Sequence, residues 1–485
     1  AWYQTKEAMY DNRQALKEYM RLATKAHGAN LPNDDMKHIE AWENPYMAIM
    51  QKSSINQKEV ESWEKKYYYP ILNAIYKISD VAKKRDVGAL RGIFGTDSME
   101  DILNNYLQGK HGLERNRDMA VRNALDEMTK ATLITKKEAE EMLEQVNTEL
   151  QNDIITPTEA DARRQQIGNM LATKKFTKEQ VQAQAEVWKQ RKDAIRKDDT
   201  LSWAEKQRAL DKIATTEFGV DLAAKDYSGL GEVFPNEDGK LEQSIEDAYT
   251  AVEAFEELFD TKDLWDAIRA ANNATLEKSF RSGIINKATM DSIRDMYDYY
   301  IPLRGFEAAT TEDVYGYLNN EPRAFSMPVK RANGRASKAE FAIPHILQMA
   351  HSAILQGNNN LVKMKMANFA QHYPTDLIKQ SNMYIEYDEV NDVWKAKYAE
   401  IPENATPEEV DALIAEHNEK MAKAVKENPN KYRKVSGKMD VPYIIPKGMD
   451  SYHQIPYKRN GVDYVLTVNG DPRLAFIMNG ELEKA

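Results

Sequence analysis

Three stretches, spaced 21 residues apart, open on one pattern: Ile134-Thr135-x-x-Glu138-Ala139, Ile155-Thr156-x-x-Glu159-Ala160 and Phe176-Thr177-x-x-Gln180-Val181. Thr offers a side-chain oxygen to free N–H groups at a helix start. Glu or Gln three residues later reaches back to the Thr backbone, and the apolar residue before Thr can staple to the first turn. Pro157 falls at a first helical position, where its missing N–H costs nothing. Val146, Ile167 and Trp188 recur at the same spacing inside the three units. The pattern predicts three short helices beginning at Thr135, Thr156 and Thr177. Such units are too small to bury an apolar face without neighbours, and a ligand-binding solenoid is the functional alternative. Leu201-Ser202-x-x-Glu205 and Ile285-Asn286-x-x-Thr289 repeat the start signal out of phase.

The rest of the chain reads as mainly α, a multi-helix array with a small C-terminal antiparallel α+β part. Residues 1–130 form an N-terminal helical unit, with breaks expected at Gly28 to Asp34, Asn44-Pro45, Ser53-Ser54 and Gly92 to Asp97. Trp63 and Tyr67 to Tyr69, just before Pro70, are expected to pack a core. The capped-helix array occupies 131–216. A seam rich in Gly and Pro follows at 217–240, and a helical pair is expected at 241–281 and 287–300, within a unit closing at about 306. Pro302 excludes Ile301 from the α region, so the helix should stop at Tyr300 with Tyr299 on its last turn and Arg304 just beyond. An extended connector and one long helix fill 307–374. In 375–485, a hairpin at 383–398, a charged helix behind Thr406-Pro407 and a second hairpin turning at Asn460-Gly461 are expected, then a short helix after Asp471-Pro472.

At 485 residues the chain exceeds what one core usually supports. A net charge of −11 opposes a non-specific grip on phosphate backbones. With no Cys there is no disulfide, thiolate nucleophile or Cys-ligated metal. No apolar run is long enough for a membrane span. The chain starts at Ala1-Trp2, with neither an initiator Met nor a signal pattern, as a piece of a longer protein would.

Chemistry has few candidates. On a helix, His111, Glu114 and Arg115 share one face, which would suit a general base with its orienter or a pair of metal ligands. The plainer reading is a buried histidine in an ion-pair network. Lys330, Arg331 and Arg335, with Lys338 behind them, could meet phosphate or an acidic partner, or form a solvated turn. Asn358-Asn359-Asn360 reads as polar glue within the long helix, or a kink after Gly357. No phosphate-binding loop or dinucleotide fingerprint occurs, and no cofactor or metal is expected.

Four motifs in order carry a resemblance. They are Tyr106-Leu107-x-x-Lys110-His111-Gly112-x-Glu114-Arg115-Asn116, Tyr299-Tyr300-Ile301-Pro302-Leu303-Arg304-Gly305, Gly334-Arg335-Ala336-Ser337, and Lys458-Arg459-Asn460-Gly461-Val462-Asp463-Tyr464. Together, over roughly residues 100–485, they resemble the large polyvalent proteins of phages and conjugative mobile elements. Those long chains string enzymatic modules between helical associated regions and travel with the mobile DNA. The resemblance implies that this segment is an associated, scaffold-like region, a packaged or ejected component. Its partners would be other modules of the same chain and other virion or element proteins, in the virion interior or the recipient cytoplasm. An enzyme built around His111, Glu114 and Arg115, or a nucleic-acid module using 330–338, are the alternatives.

Overall fold

A computed structural model describes residues 2–28, 38–130, 136–151, 155–172, 178–304, 335–381, 384–388, 393–397, 432–435, 443–446, 454–469 and 471–479. Among the described residues the chain is mainly helical, and every strand follows residue 377. Helix α1 spans Trp2–Ala26. After a 3₁₀ turn at Ala41–Glu43, α2 runs Pro45–Trp63, with the Asn44 side chain capping Met47 N at 3.0 Å. Helix α2 passes through Ser53-Ser54 without the expected break. A π segment, Glu64–Tyr68, then leads directly into α3, Tyr69–Ala82. The wider i→i+5 turn absorbs Pro70, whose missing N–H and ring would otherwise interrupt a continuous helix. Trp63 is buried and Tyr67 and Tyr68 pack against the same core, whereas Tyr69 is exposed.

Helix α4, Gly88–Phe94, ends on left-handed Gly95, and α5 covers Met99–Lys130. The three repeat helices follow: α6 Lys136–Gln151, α7 Pro157–Ala172 and α8 Lys178–Arg196. Their starts keep the 21-residue spacing. At Thr156 the capping box is complete, with Glu159 Oε2 accepting from Thr156 N at 2.8 Å and Thr156 Oγ1 accepting from Glu159 N at 3.3 Å. Thr135 and Thr177 lie outside the described residues. Thr156→Ala should cost about 1 kcal/mol, a change readable as faster amide exchange in the first turn of α7. Val146, Ile167 and Trp188 are all buried, but not in one array. Helices α6 and α7 close on each other around Val146, Ala160 and Ile167, while α8 packs on α5, its Trp188 edge-on to Phe218 at 5.4 Å.

Helix α9, Trp203–Glu217, starts with the Ser202/Glu205 capping box. Helix α10, Leu230–Val233, is one turn; α11 spans Leu241–Leu258, α12 Lys262–Arg281 and α13 Lys287–Met296, the last capped by Asn286. Two expectations are corrected here. The stretch 241–281 is two helices with a turn at 259–261, and α13 stops at Met296, four residues before Tyr300. Tyr297 is already extended (φ −132, ψ 140). The main-chain oxygens that would carry the helix on are taken: Met296 O by the Lys192 ammonium and Asp295 O by Arg196 at 2.8 Å, both from α8. Arg304 therefore follows the end of α13 by eight residues and does not sit at that helix's C-terminus.

Helix α14, Ala342–His372, is unbroken. The three-stranded antiparallel sheet runs β1 (Ile378–Ser381), β7 (Val462–Val468), β6 (Gln454–Arg459). Two further hairpins pair β2 (Tyr384–Asp388) with β3 (Val393–Lys397) and β4 (Tyr432–Val435) with β5 (Tyr443–Pro446). The β6–β7 turn has Asn460 and Gly461 at φ 52 and 79, both positive as a type I′ turn demands. Helix α15, Arg473–Asn479, follows Asp471-Pro472 as expected. The helix expected at 406–426 lies outside the described residues.

Helix α14 joins two cores. Its N-terminal half, through Ile343, Ile346 and Ile354, enters the larger core with α3, α5, α11 and α12. Its C-terminal half, through Met366 and Phe369, packs with α1, the three-stranded sheet and α15. The larger core draws on residues 63 to 354, so it joins segments that composition separates at 130, 216 and 306. The Asn triplet is polar glue: Asn358 Nδ2 donates to Asn56 (2.8 Å) and Glu59 (3.0 Å) of α2, and Lys278 of α12 donates to Asn358 Oδ1 at 2.7 Å. Asn360 Nδ2 donates to Ser282 O and Lys458 O, and its Oδ1 accepts from Lys458 N at 2.8 Å, fixing β6 to the α12–α13 turn. No described helix is long and apolar enough to cross a membrane.

Candidate functional site

Between Ile102 and Glu114, every residue of α5 is buried. A helix enclosed on all sides should be apolar all round, yet this one carries Lys110, His111, Glu114, Arg115, Arg117 and Asp118. Gly109 and Gly112 create the room on one side. A Cβ at Gly109 would meet the Phe234 ring at 3.0 Å, and one at Gly112 would meet Leu230 at 2.9 Å and Ser228 Oγ at 3.0 Å. Each charged group must then find a partner, since an unpaired charge out of water is costly.

Glu114 Oε2 accepts from Tyr299 N at 3.1 Å. Burial, then the nearby Asp298, push its carboxyl up to about 7, against the pull of Lys192 and Arg117. His111 is enclosed edge-on by Tyr297 (4.9 Å) and Tyr300 (5.3 Å), and neither ring nitrogen has a hydrogen-bond partner among the described residues. Burial, then Arg115, hold it well below the usual imidazole range, so it is a neutral aromatic plate. Arg115 Nε donates to Tyr227 O at 3.0 Å. The three residues share a helix face, but His111 and Glu114 form no dyad: both are spent on the segment 297–300, Glu114 on its backbone and His111 between two of its rings.

The sequence reading missed most of what surrounds them. Arg117 is 1% exposed and donates to Asp211 (3.0 Å) and to Gln207 Oε1 (2.7 Å), and Tyr249 Oη donates to the other Asp211 oxygen. The Lys192 ammonium pairs with Asp118 and lies 5.7 Å from the Tyr297 ring, and Arg196 meets Asp298 at 2.7 Å. Asp226 accepts from Ser228 N, Gly229 N and Gly231 N, each at 2.9 Å, and from Asn116. The Lys110 ammonium pairs with Glu256 inside a cage of Tyr106, Trp203, Trp265 and Tyr299. These partners sit tens to hundreds of residues away. Of these, Tyr106, Lys110, Asn116 and Tyr299 stood within motifs that the sequence singles out.

Residues 335–341 form a strap across the same face. Arg335 N donates to Tyr227 O, Lys338 N to Glu232 Oε2 and Ala339 N to Gln108 Oε1; Glu340 N donates to Arg304 O at 2.7 Å, and Ala342 N to Asn104 Oδ1. Arg304 thus holds the strap through its backbone carbonyl and not its side chain, and Arg304→Ala should leave that link intact. The Arg335 guanidinium turns back onto Ser337 and Lys338 O. Lys330 and Arg331 lie outside the described residues.

The carboxyl of Glu114 makes a pH prediction. Its pKa rises from an ordinary 4.5 to about 7 on folding, so between those values the native state binds the extra proton. Its contribution is greatest on the acid side of that window and is lost as the pH rises through about 7. Glu114→Gln keeps an oxygen for Tyr299 N and carries no charge. Relative to the parent, the variant should gain on the order of 1–3 kcal/mol between about pH 5 and pH 8. Urea titrations at the two pH values read the difference. Equal pH slopes for both proteins would refute the shift.

Comparison with known proteins gives no match to a family model, to a curated protein or to a solved structure.

Proposed function

We propose that this chain is a non-enzymatic structural segment of a large polyvalent protein, packaged in or ejected from a phage or carried by a mobile element. In this reading it is bound to other modules of the same long chain and to other virion or element proteins, inside the particle or in the recipient cytoplasm. The observation that carries the reading is how the His111, Glu114 and Arg115 face is used. Glu114 and Arg115 tie α5 to Tyr299 and Tyr227, and His111 is a neutral filler between two tyrosines. Chemistry-bearing groups committed to distant backbone act as fasteners. A segment that must keep its shape through packaging and delivery needs such fasteners.

The test is quantitative mass spectrometry on purified particles of the source element, combined with a reporter fused to the full-length protein. A fixed copy number per particle, with reporter signal in recipient cells, is expected. Absence from particles would overturn the reading. So would a catalytic activity lost in a His111→Ala protein that remains folded. Filter binding at physiological salt should show no tight nucleic-acid complex, given the net charge of −11. Sub-micromolar affinity abolished by neutralising Lys330, Arg331 and Arg335 would instead favour a nucleic-acid module.

A further inference from the structure

Lys110, a buried cation, lines an open cleft. The cleft is about 590 Å³, with Trp203, Glu256, Trp265, Arg269 and Tyr299 also in its wall. That size suits a small organic molecule. The Lys110 side chain is only 3% exposed, and its Nζ lies 4.1 Å from the Tyr299 ring centre and 4.8 Å from that of Trp203. Its carboxylate partner is fixed with equal care. Glu256 Oε1 accepts from Lys110, from Tyr106 Oη at 2.6 Å and from Thr261 Oγ1 at 3.2 Å, and Tyr106 Oη in turn accepts from Trp265 Nε1 at 2.7 Å. The Glu256 side chain remains 25% exposed. An amine, one positioned carboxylate and aromatic faces thus converge on a space that a guest can enter.

We propose that Lys110 is the amine nucleophile of a carbonyl-binding site, condensing with an aldehyde on an aromatic or apolar group and holding the product as an iminium ion beside Glu256. The ammonium first passes a proton to the Glu256 carboxylate. The free amine then adds to the carbonyl carbon, its lone pair forming the C–N bond while the C=O pair moves to oxygen, which takes a proton from the adding nitrogen to give the neutral carbinolamine. The carbinolamine loses its hydroxyl as water, with the proton supplied by Glu256. Overall, ammonium and aldehyde give iminium and water, with the single positive charge conserved. A cation therefore remains where the cage already holds one, and the aromatic faces and Glu256 stabilise the product as they do the resting lysine. Burial lowers the Lys110 pKa despite the opposing pull of Glu256, easing the first proton transfer. Trp203 and Trp265 offer apolar surface to the guest, and Arg269 a cation to any acidic substituent.

The experiment is reductive trapping on the full chain: 4-carboxybenzaldehyde at limiting concentration, borohydride, then peptide mass spectrometry. The adduct is expected on Lys110 ahead of Lys77 and Lys262, whose side chains are 71% and 82% exposed. In denaturant that preference should vanish. Glu256→Gln keeps an acceptor oxygen for Tyr106 and Thr261 but cannot shuttle the proton, and should slow trapping at Lys110 by about 10²-fold. Circular dichroism and unchanged labelling of Lys77 report that the variant is folded. Labelling that follows exposure, with Lys110 unmodified in the native protein, would overturn the proposal. So would trapping at Lys110 that Glu256→Gln leaves at the parent rate.

Discussion

Arg117→Met is expected to destabilise the protein by roughly 3–5 kcal/mol, as removal of one member of a buried ion pair does. Arg117 is among the largest fully buried side chains of the described residues. Its guanidinium meets Asp211 and Gln207 of α9, and Asp211 also receives the Tyr249 hydroxyl of α11. Methionine matches much of the stem but leaves the Asp211 carboxylate facing Tyr249 without its cation. Burial, then the neighbouring Asp211 carboxylate, hold the Tyr249 phenol far above its ordinary range, so it stays a neutral donor and cannot replace the lost cation. Urea denaturation of Arg117→Met, Asp211→Asn and the double variant forms a cycle. The double variant should lose less than the two singles combined, because each single strands a partner and the pair does not. Additive losses would mean that the pair is not coupled.

Gly229→Ala is expected to release the strap at 335–341 from the body at a cost on the order of 3–5 kcal/mol, beyond the usual range for one methyl. Gly229 has φ +81, and a Cβ there would lie 2.1 Å from Ser337 O and 2.6 Å from Ser337 C, both backbone atoms that cannot swing aside. Either the strap lifts or the turn before α10 changes conformation. Lifting forfeits hydrogen bonds to Tyr227, Glu232 and Gln108, each worth about 1 kcal/mol net. Hydrogen exchange should show 335–341 deprotected while α9 and the β6–β7 hairpin keep parental protection. Parental protection throughout would show that the close approach is not a constraint. Alanine at Gly219, also at positive φ but with open space where its Cβ would go, is the control for backbone strain alone.

Local chemistry is written in short sequence spans, and those features were legible. Thr156 with Glu159, Ser202 with Glu205, Asn286 before α13 and the Asn460-Gly461 turn each need only a few adjacent residues, and each stands in the structure. The recurring Val146, Ile167 and Trp188 of the three units are all buried. The mainly helical class with a small antiparallel C-terminal part follows from the same signals. Even so, local rules failed where a tertiary partner intervened. Pro302 marks a stop, but α13 ends at Met296, where Lys192 and Arg196 of α8 engage the last carbonyls.

For the candidate site, sequence supplied the spacing of His111, Glu114 and Arg115 on one face and nothing of their surroundings. The partners that decide their chemistry lie at Tyr227, Tyr297, Tyr299 and Tyr300, brought in by folding from more than a hundred residues away. The same applies to the Lys110–Glu256 cage and to Arg117 with Asp211. A side chain's protonation and reach depend on what displaces its water, and that is a property of three-dimensional packing. Sequence by itself determined the capped helix starts at Pro157, Trp203 and Lys287 and the Asn460-Gly461 turn, because caps and turns act within a few residues. Only the tertiary structure decided that residues 102–114 of α5 would lie buried and that Lys110 and Arg117 would meet Glu256 and Asp211, because desolvation and ion pairing are set by neighbours distant in the chain.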